Sequence, residues 1–465
     1  MADAIEIIPS AKRVITSLRD MGYDFAQAVA DVIDNAIEAK ASVISVDVEF
    51  NGDESWVRIF NNGNGMTPAE LREAMRYGSS GRDYGADDLG KFGLGLKTAS
   101  LSQCRRLSVA SRHNPDRADI SAYSWDLEHI ERTDRWEILP VDGTKHLIRQ
   151  PLKESTGTVV LWERLDRILG YKHPYGEMAR KRLSQTCREI EMHLRMVFHK
   201  FLDGEARRRP LKIYLNSNPI TPWDPFCRQE KNTRQLQSIR IPVEYEGISG
   251  EVLVEPFVLP PQDDFSTLDA FREASGPQGW NLQQGLYIYR AGRMIQSGGW
   301  SNLRNPDEHL KLARVAVSFS PELDEAFKIN VAKMRVQLPV SIRDDMKRAL
   351  ASITRIANEV YRKKQINPPP PNPRQSGETT RQPIPTAPYA AGGPNVDGFR
   401  PTTQKPANAV PNMSGNPDVD EYSGNNRSYS ERLLTFEQWS KAAFAVANEY
   451  ERPILKAVLK RVPQD

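Results

Sequence analysis

Cysteine is scarce in this chain. Cys104, Cys187 and Cys227 are the only three in 465 residues, and they are odd in number, far apart and without metal-ligand spacing. That excludes a disulfide framework and a cysteine-built zinc site, and it suits a reducing compartment. No apolar run is long enough to span a membrane, and the start of the chain, with Asp3 and Glu6, lacks the apolar core of a secretory signal. A cytoplasmic location is therefore expected. An excess of one charge is missing as well: 63 Lys and Arg face 60 Asp and Glu, a net charge of +3, which neither demands nor excludes a nucleic-acid partner. The phosphate loop G-x-x-x-x-G-K-[ST] is also absent.

Three segments nevertheless make sense together as one nucleotide site. The first, Asp31-Val32-Ile33-Asp34-Asn35-Ala36, lies in a helix expected from about Asp24 to Lys40, where Phe25, Ala28, Val29, Val32, Ile33 and Ala36 recur on one face. Asp31, Asn35 and Glu38 fall on roughly the opposite side. A solvated polar stripe is the plain reading of that side; the functional one uses the i, i+4 spacing, which sets an acid beside an amide. One can activate a water and the other coordinate magnesium, an ion that shares its oxygen ligands with substrate phosphates.

Strands are expected at Val43–Phe50 and Trp56–Phe60, the second ending in the turn Asn61-Asn62-Gly63-Asn64-Gly65-Met66. The third segment is Leu89-Gly90-Lys91-Phe92-Gly93-Leu94-Gly95-Leu96-Lys97-Thr98-Ala99-Ser100. Its glycine spacing exposes N–H groups that can converge on phosphate oxygens, with Lys97 to neutralise their charge. Helix, strand, strand and then a glycine turn is the wrong order for a Rossmann or P-loop site, both of which place the phosphate loop after the first strand.

These boxes, together with Ser17–Tyr23 ahead of them and Gly157-Thr158-Val159-Val160-Leu161-Trp162 behind, resemble the ATPase group of gyrase B, MutL, the large heat-shock chaperones and histidine kinases. Within it, the bacterial MORC-like branch is the most similar. The resemblance implies an α/β (α+β) chain, with a Bergerat-type ATP-binding sandwich over residues 1–175 and a transducer-like α/β domain over 211–365. It implies Asp31 as general base, Asn35 as magnesium ligand and Asn61 facing the adenine amino group. Gly63, Gly65 and Met66 would lie against the base, the amides of Gly93, Leu94, Gly95 and Leu96 around the phosphates with Lys97, and Thr158 at the adenine end. Gly78–Lys91 would be the lid, and Lys333 the transducer lysine that enters the pocket, with Lys328 and Arg335 as rivals. Two positions depart from the family pattern. Asp31 stands where a glutamate is usual, one methylene shorter, and Asn61 where an aspartate is usual, so slow turnover and weaker base recognition are expected.

Residues 176–210 read as a basic connecting helix, with Leu183, Ile190, Leu194, Val197, Phe198 and Phe201 on one stripe and Arg180, Lys181, Arg182, Arg188 and Arg195 on other faces. Those arginines offer either a solvated surface or a phosphate-backbone surface. Further strands are expected near 211–215, 239–245, 250–259, 285–290 and 314–320, and a helix over 341–365. The run Asn367-Pro368-Pro369-Pro370-Pro371-Asn372-Pro373 opens a Pro-rich linker over 366–427, expected to be disordered. The helical pattern of 428–465 is too short for its own core and suits docking on a protein partner or on the body of this chain. The function expected is an ATP-binding, slowly hydrolysing switch that dimerises on ATP and clamps DNA, with phage defence or restriction as a setting. A non-catalytic nucleotide-dependent scaffold and a chaperone-like client binder are the alternatives.

Overall fold

The computed structural model describes residues 7–20, 22–78, 95–116, 119–142, 146–329 and 336–366. The chain divides into two units at Gln375, and all of these residues lie in the first. Strands β1 (Val43–Glu49), β2 (Trp56–Asn61), β3 (Arg106–Arg112), β4 (Ser121–Asp126), β5 (Leu139–Pro140), β6 (Gly157–Glu163), β7 (Lys212–Leu215) and β8 (Asn218–Pro219) form one sheet in the order β5-β4-β3-β6-β2-β1-β7-β8. Its pairings are antiparallel except β1 with β7. Helices α1 (Ala11–Arg19), α2 (Phe25–Glu38), α3 (Pro68–Met75), α4 (Gly95–Leu101), α5 (Leu127–Thr133), α6 (His146–Arg149), α7 (Glu177–Val197) and α8 (His199–Leu202) accompany it.

Local sequence accounts for the central pieces. In β1 and β2 buried and half-buried residues alternate, as a strand with one face on the main core requires. In β6, Val159-Val160-Leu161-Trp162 is buried on both faces because β2 and β3 flank it and apolar groups cover each side. Val57, Ile59, Val160, Trp162, Leu107 and Val109 face the larger core with α2, and Ala110, Val159 and Leu161 face a smaller cluster with Ile148 and Leu152. Helix α2 begins at a reciprocal cap: Asp24 accepts from the Gln27 amide at 2.8 Å, and the Gln27 side chain accepts from the Asp24 amide.

The second sheet contains β9 (Arg234–Gln235), β10 (Ile239–Tyr245), β11 (Ile248–Val258), β12 (Gly285–Arg290), β13 (Arg293–Ser297) and β14 (Ala313–Phe319), in the order β10-β11-β14-β12-β13 with β9 on β11. With α9 (Leu268–Ala274), α10 (Gly279–Leu282) and α11 (Arg343–Ile366) it encloses a core of its own, centred on Tyr287, Tyr289, Val315, Val317 and Phe327. The α/β class is as expected. Two readings are corrected. The strand at 211–215 pairs parallel with β1 in the first sheet, between β1 and the two-residue edge strand β8, and Leu211, Ile213 and Leu215 join the first core; a short apolar strand does not carry in its sequence which sheet will receive it. The helix expected through Phe201 breaks at Phe198, where φ is −105°. Lys333, Arg335, Gly93, Leu94, most of the expected lid, the linker and the 428–465 segment lie outside the described residues.

Candidate functional site

Helix α2 carries Asp31 and Asn35, and the structure corrects the view of its polar side. Eleven of its fourteen residues are buried, Asp31 and Asp34 among them, because the sheet, α4, α7 and the β12–β13 hairpin close around it. The Asp31 Oδ2 accepts the Tyr23 hydroxyl at 2.8 Å. Burial, followed by the nearby Asp31 charge, raises the Tyr23 phenol far above its ordinary pKa, so it remains a donor at all working pH values. Asn35 is half-buried, and its Nδ2 donates to the Asp31 carbonyl at 3.1 Å, which leaves Oδ1 as its acceptor face.

Gly95 opens α4 directly over Asp31: a Cβ on it would lie 3.5 Å from Asp31 Oδ2. Leu96 is half-buried beside it and packs on the main core. Lys97 points elsewhere than expected. Its ammonium donates to the Ala74 carbonyl in α3 at 3.0 Å and lies 5.9 Å from the Tyr77 ring centre, and burial pushes its pKa down to about 8. This gives it a part in holding α3 to α4.

At the opposite end of α2, the glycine turn packs on the helix terminus. The Asn64 amide donates to the Ala39 carbonyl at 2.8 Å, and a Cβ on Gly63 would come within 2.6 Å of the same oxygen. Gly65, at φ +62°, faces the Arg112 carbonyl, which a Cβ would approach to 2.1 Å. Both glycines are thus required by close approach of protein backbone. Asn61 is the last residue of β2, 5 % exposed, with Oδ1 accepting the Gly63 amide at 3.0 Å. Directly across the sheet it faces Thr158, and Thr158 faces Ser111, so the three side chains share one rung on the α2 side of the sheet. The Ser111 hydroxyl lies 3.0 Å from Thr158 Oγ1, bonds the Gly157 carbonyl and accepts the Met66 amide, both at 2.8 Å. The glycine turn meets the helix end at Ala39, eight residues from Asp31, or about 12 Å along the axis at 1.5 Å per residue.

Sequence reasoning missed Ser111, Asp34 and Arg293. Ser111 gives no signal, being a serine at a strand end. Asp34 gives one: an acid inside an apolar stripe must be paired, and here Arg293 of β13 donates Nε to Asp34 Oδ1 at 2.9 Å, with Nη2 3.8 Å from Asp31 Oδ1. The turn containing Arg293 was visible in the sequence; its destination was not. Lys328, the rival to Lys333 among the described residues, is exposed at φ +48°.

The family described as histidine kinase-, DNA gyrase B- and HSP90-like ATPase matches residues 23–158. The DNA mismatch repair protein MutL of Kosmotoga olearia is 29% identical over 96 residues, covering 20% of this chain and 15% of that one. Protein MICRORCHIDIA 4 of Arabidopsis thaliana is 32% identical over 90 residues, 18% of this chain and 11% of that one. MutL of Pasteurella multocida is 33% identical over 139 residues, 29% of this chain and 20% of that one. The chain therefore matches between 11% and 20% of the length of these relatives. Among the described residues no helix is long and apolar enough to cross a membrane. The matched span begins at Tyr23, the partner of Asp31, and ends at Thr158 of the three-strand rung, so residues 23–158, similar to the histidine kinase-, DNA gyrase B- and HSP90-like ATPase family, take in both of these groups.

Proposed function

We propose that the chain binds ATP with magnesium and hydrolyses it slowly, as a MORC-like switch whose two copies associate when ATP is bound and close around DNA. The observation that carries the nucleotide reading is the pairing, along one buried helix, of Asp31 under the start of α4 with the Asn61–Thr158–Ser111 rung at the other end. The rung offers hydroxyl and amide groups to a base; the Asp31 end offers a carboxylate to an attacking water.

The residues fit a magnesium ion of the kind that accompanies ATP. Asn35 presents one neutral oxygen, and magnesium takes most of its remaining ligands from phosphates and waters. When bound, the ion would neutralise phosphate charge; Asn35 would hold it and Asp31 would accept the proton of the water. DNA is supported by exposed Arg180, Lys181, Arg188, Arg208 and Arg209, although Lys181 lies 3.9 Å from Glu177. Binding measured at two salt concentrations separates a phosphate-backbone clamp, which weakens steeply with salt, from a chaperone-like client binder.

A second reading, a scaffold that binds ATP without turnover, is favoured by the short Asp31 side chain and its engagement by Tyr23. Steady-state phosphate release decides. Under the first reading the parent releases phosphate in a magnesium-dependent way, and Asp31→Asn lowers the rate by about a hundredfold or more while a non-hydrolysable analogue still binds. Analogue binding without phosphate release by the parent establishes the scaffold.

A further inference from the structure

We infer that the base end of the site does not select adenine: Asn61 offers a hydrogen-bond donor and Thr158 an acceptor, a pair that admits a 6-oxopurine nucleoside triphosphate alongside ATP. This rests on the nucleotide reading above and deepens it, by naming the class of base that the rung takes.

The direction of each hydrogen bond follows from the protons available. At Asn61, Oδ1 accepts the Gly63 amide at 3.0 Å. A peptide N–H can only donate, so a flipped side chain, with Nδ2 in that place, would set donor against donor. The turn is held in this position from several sides. Asn62 Oδ1 accepts the amides of Ser42 and Val43 at 2.9 and 2.8 Å, and the Asn64 amide donates to the Ala39 carbonyl. A Cβ on Gly63 would lie 2.9 Å from Asn61 Oδ1, so glycine at this position is what lets the turn close on the amide. With its oxygen engaged, Asn61 has Nδ2 left for a ligand, and no described residue accepts from it.

Thr158 has the opposite polarity. Ser111 has one hydroxyl proton, which goes to the Gly157 carbonyl at 2.8 Å. Its Oγ accepts the Met66 amide at 2.8 Å, so the 3.0 Å contact with Thr158 Oγ1 is a bond that Thr158 donates. The Thr158 proton is therefore engaged, and its oxygen faces a ligand as an acceptor.

A carboxylate at position 61 would keep one oxygen on Gly63 and present the other as a second acceptor. Such an oxygen suits an adenine amino group and repels the 6-oxo group of hypoxanthine or guanine, lone pair against lone pair. The donor and acceptor present here exclude neither base. Adenine can accept at N1 from Asn61 Nδ2 and donate its amino group to Thr158; a 6-oxopurine can accept at its oxygen from Nδ2 and donate N1–H to Thr158. Asn61 and Thr158 are only 5 % and 8 % exposed. A base group left without a partner there loses its hydration with no replacement, so polarity at these two atoms decides affinity.

The test uses the full chain and two ligands, ATP and ITP, each with magnesium and each competing against a labelled non-hydrolysable ATP analogue. ITP carries the 6-oxo group and N1–H of the class without a 2-amino group, so it reports on these two atoms alone. For the parent, ITP should bind within about tenfold of ATP. Asn61→Asp keeps the size of the side chain and the acceptor for the Gly63 amide, and at about pH 8 it is ionised. It should move the ratio of ITP to ATP affinity toward ATP by about tenfold. A purely structural role for Asn61 would weaken both nucleotides equally, and a ratio that moves by less than about threefold overturns the inference. So does a parent that binds ITP more than about tenfold more weakly than ATP, a comparison that stands even if Asn61→Asp does not fold. A parent that binds neither nucleotide ends the nucleotide reading and this specificity with it, whereas a parent that binds ATP and excludes ITP ends this specificity alone.

Discussion

Residue chemistry at this site is decided by what each group is buried against. Asp31 is one methylene shorter than a glutamate, yet the Tyr23 hydroxyl holds its Oδ2 in place, and preorganisation of that kind offsets some loss of reach. Lys97 shows the opposite case, a cation whose burial works against its charge. Its folded pKa of about 8 lies below the ordinary lysine value of 10.5. Between these two pH values the unfolded chain binds the proton that the folded chain has released, so Lys97 contributes a rise in stability with pH from about 8 to 10, opposed from about pH 9 by the thiols of Cys104, Cys187 and Cys227, whose pKa values burial raises. Above that window Tyr77 and Tyr23, whose phenols are raised by burial, reverse the trend, because the unfolded chain then loses protons that the folded one keeps. Lys97→Met removes the first titration only. Its melting temperature, followed across pH 7 to 10, should climb less than the parent's; an equal climb in both would show that Lys97 does not carry this dependence.

Among the elements, the turn between β2 and α3 and the start of β6 depend on one another. Gly157 sits at φ +142°, and a Cβ there would come within 1.9 Å of the Asn61 carbonyl, so this rung can form only where the residue has no side chain. Gly157→Ala should therefore cost more than about 2 kcal/mol in denaturant unfolding, through strain at a positive φ and displacement of Asn61. Nucleotide-analogue affinity should fall further than global stability explains. A variant with parental unfolding and parental affinity would show that Asn61 and Thr158 tolerate the shift. Helix α2 makes a related point. Its start was expected at Asp24, where the structure shows a capping box with Gln27, and its length was expected to within two residues at its C-terminal end. Of the polar stripe, for which a solvated face was the plain reading, Asp31 is buried and Asn35 and Glu38 are half-buried, and Asp34 beside them is met by Arg293 from a hairpin more than 250 residues further along the chain.

For the whole molecule, two sheets with separate cores meet where the β12–β13 hairpin reaches α2 and α8: Arg293 on Asp34, Lys200 Nζ 4.4 Å from the Tyr289 ring centre, and the Tyr289 hydroxyl 2.8 Å from His199 Nε2. A switch built in this way should report nucleotide in its state of assembly. The parent chain with magnesium and a non-hydrolysable analogue should shift toward a dimer on a sizing column with light scattering, while with ADP it should elute as it does without nucleotide. Elution at the same mass in all three conditions would remove ATP-driven association from the proposed function.

Much of this was legible in the sequence because the signals are local. Period-two and period-three-to-four patterning placed β1, β2, β10, β12, α2 and α11 within a few residues, and the glycine turn after β2 and the Asp31–Asn35 pair marked two segments that the fold brings to α2. Sequence alone also determined the α/β class, since strand and helix periods alternate along the chain and each element buries the face its pattern prescribes. Tertiary structure decided the rest. Gly65 is a glycine because the Arg112 carbonyl approaches it, Lys97 holds the Ala74 carbonyl, and Asp31 and Asp34 share one guanidinium. Each of these depends on a partner distant in the chain, and the cost of burying a charge is set by which partner arrives, a quantity that no window of sequence contains.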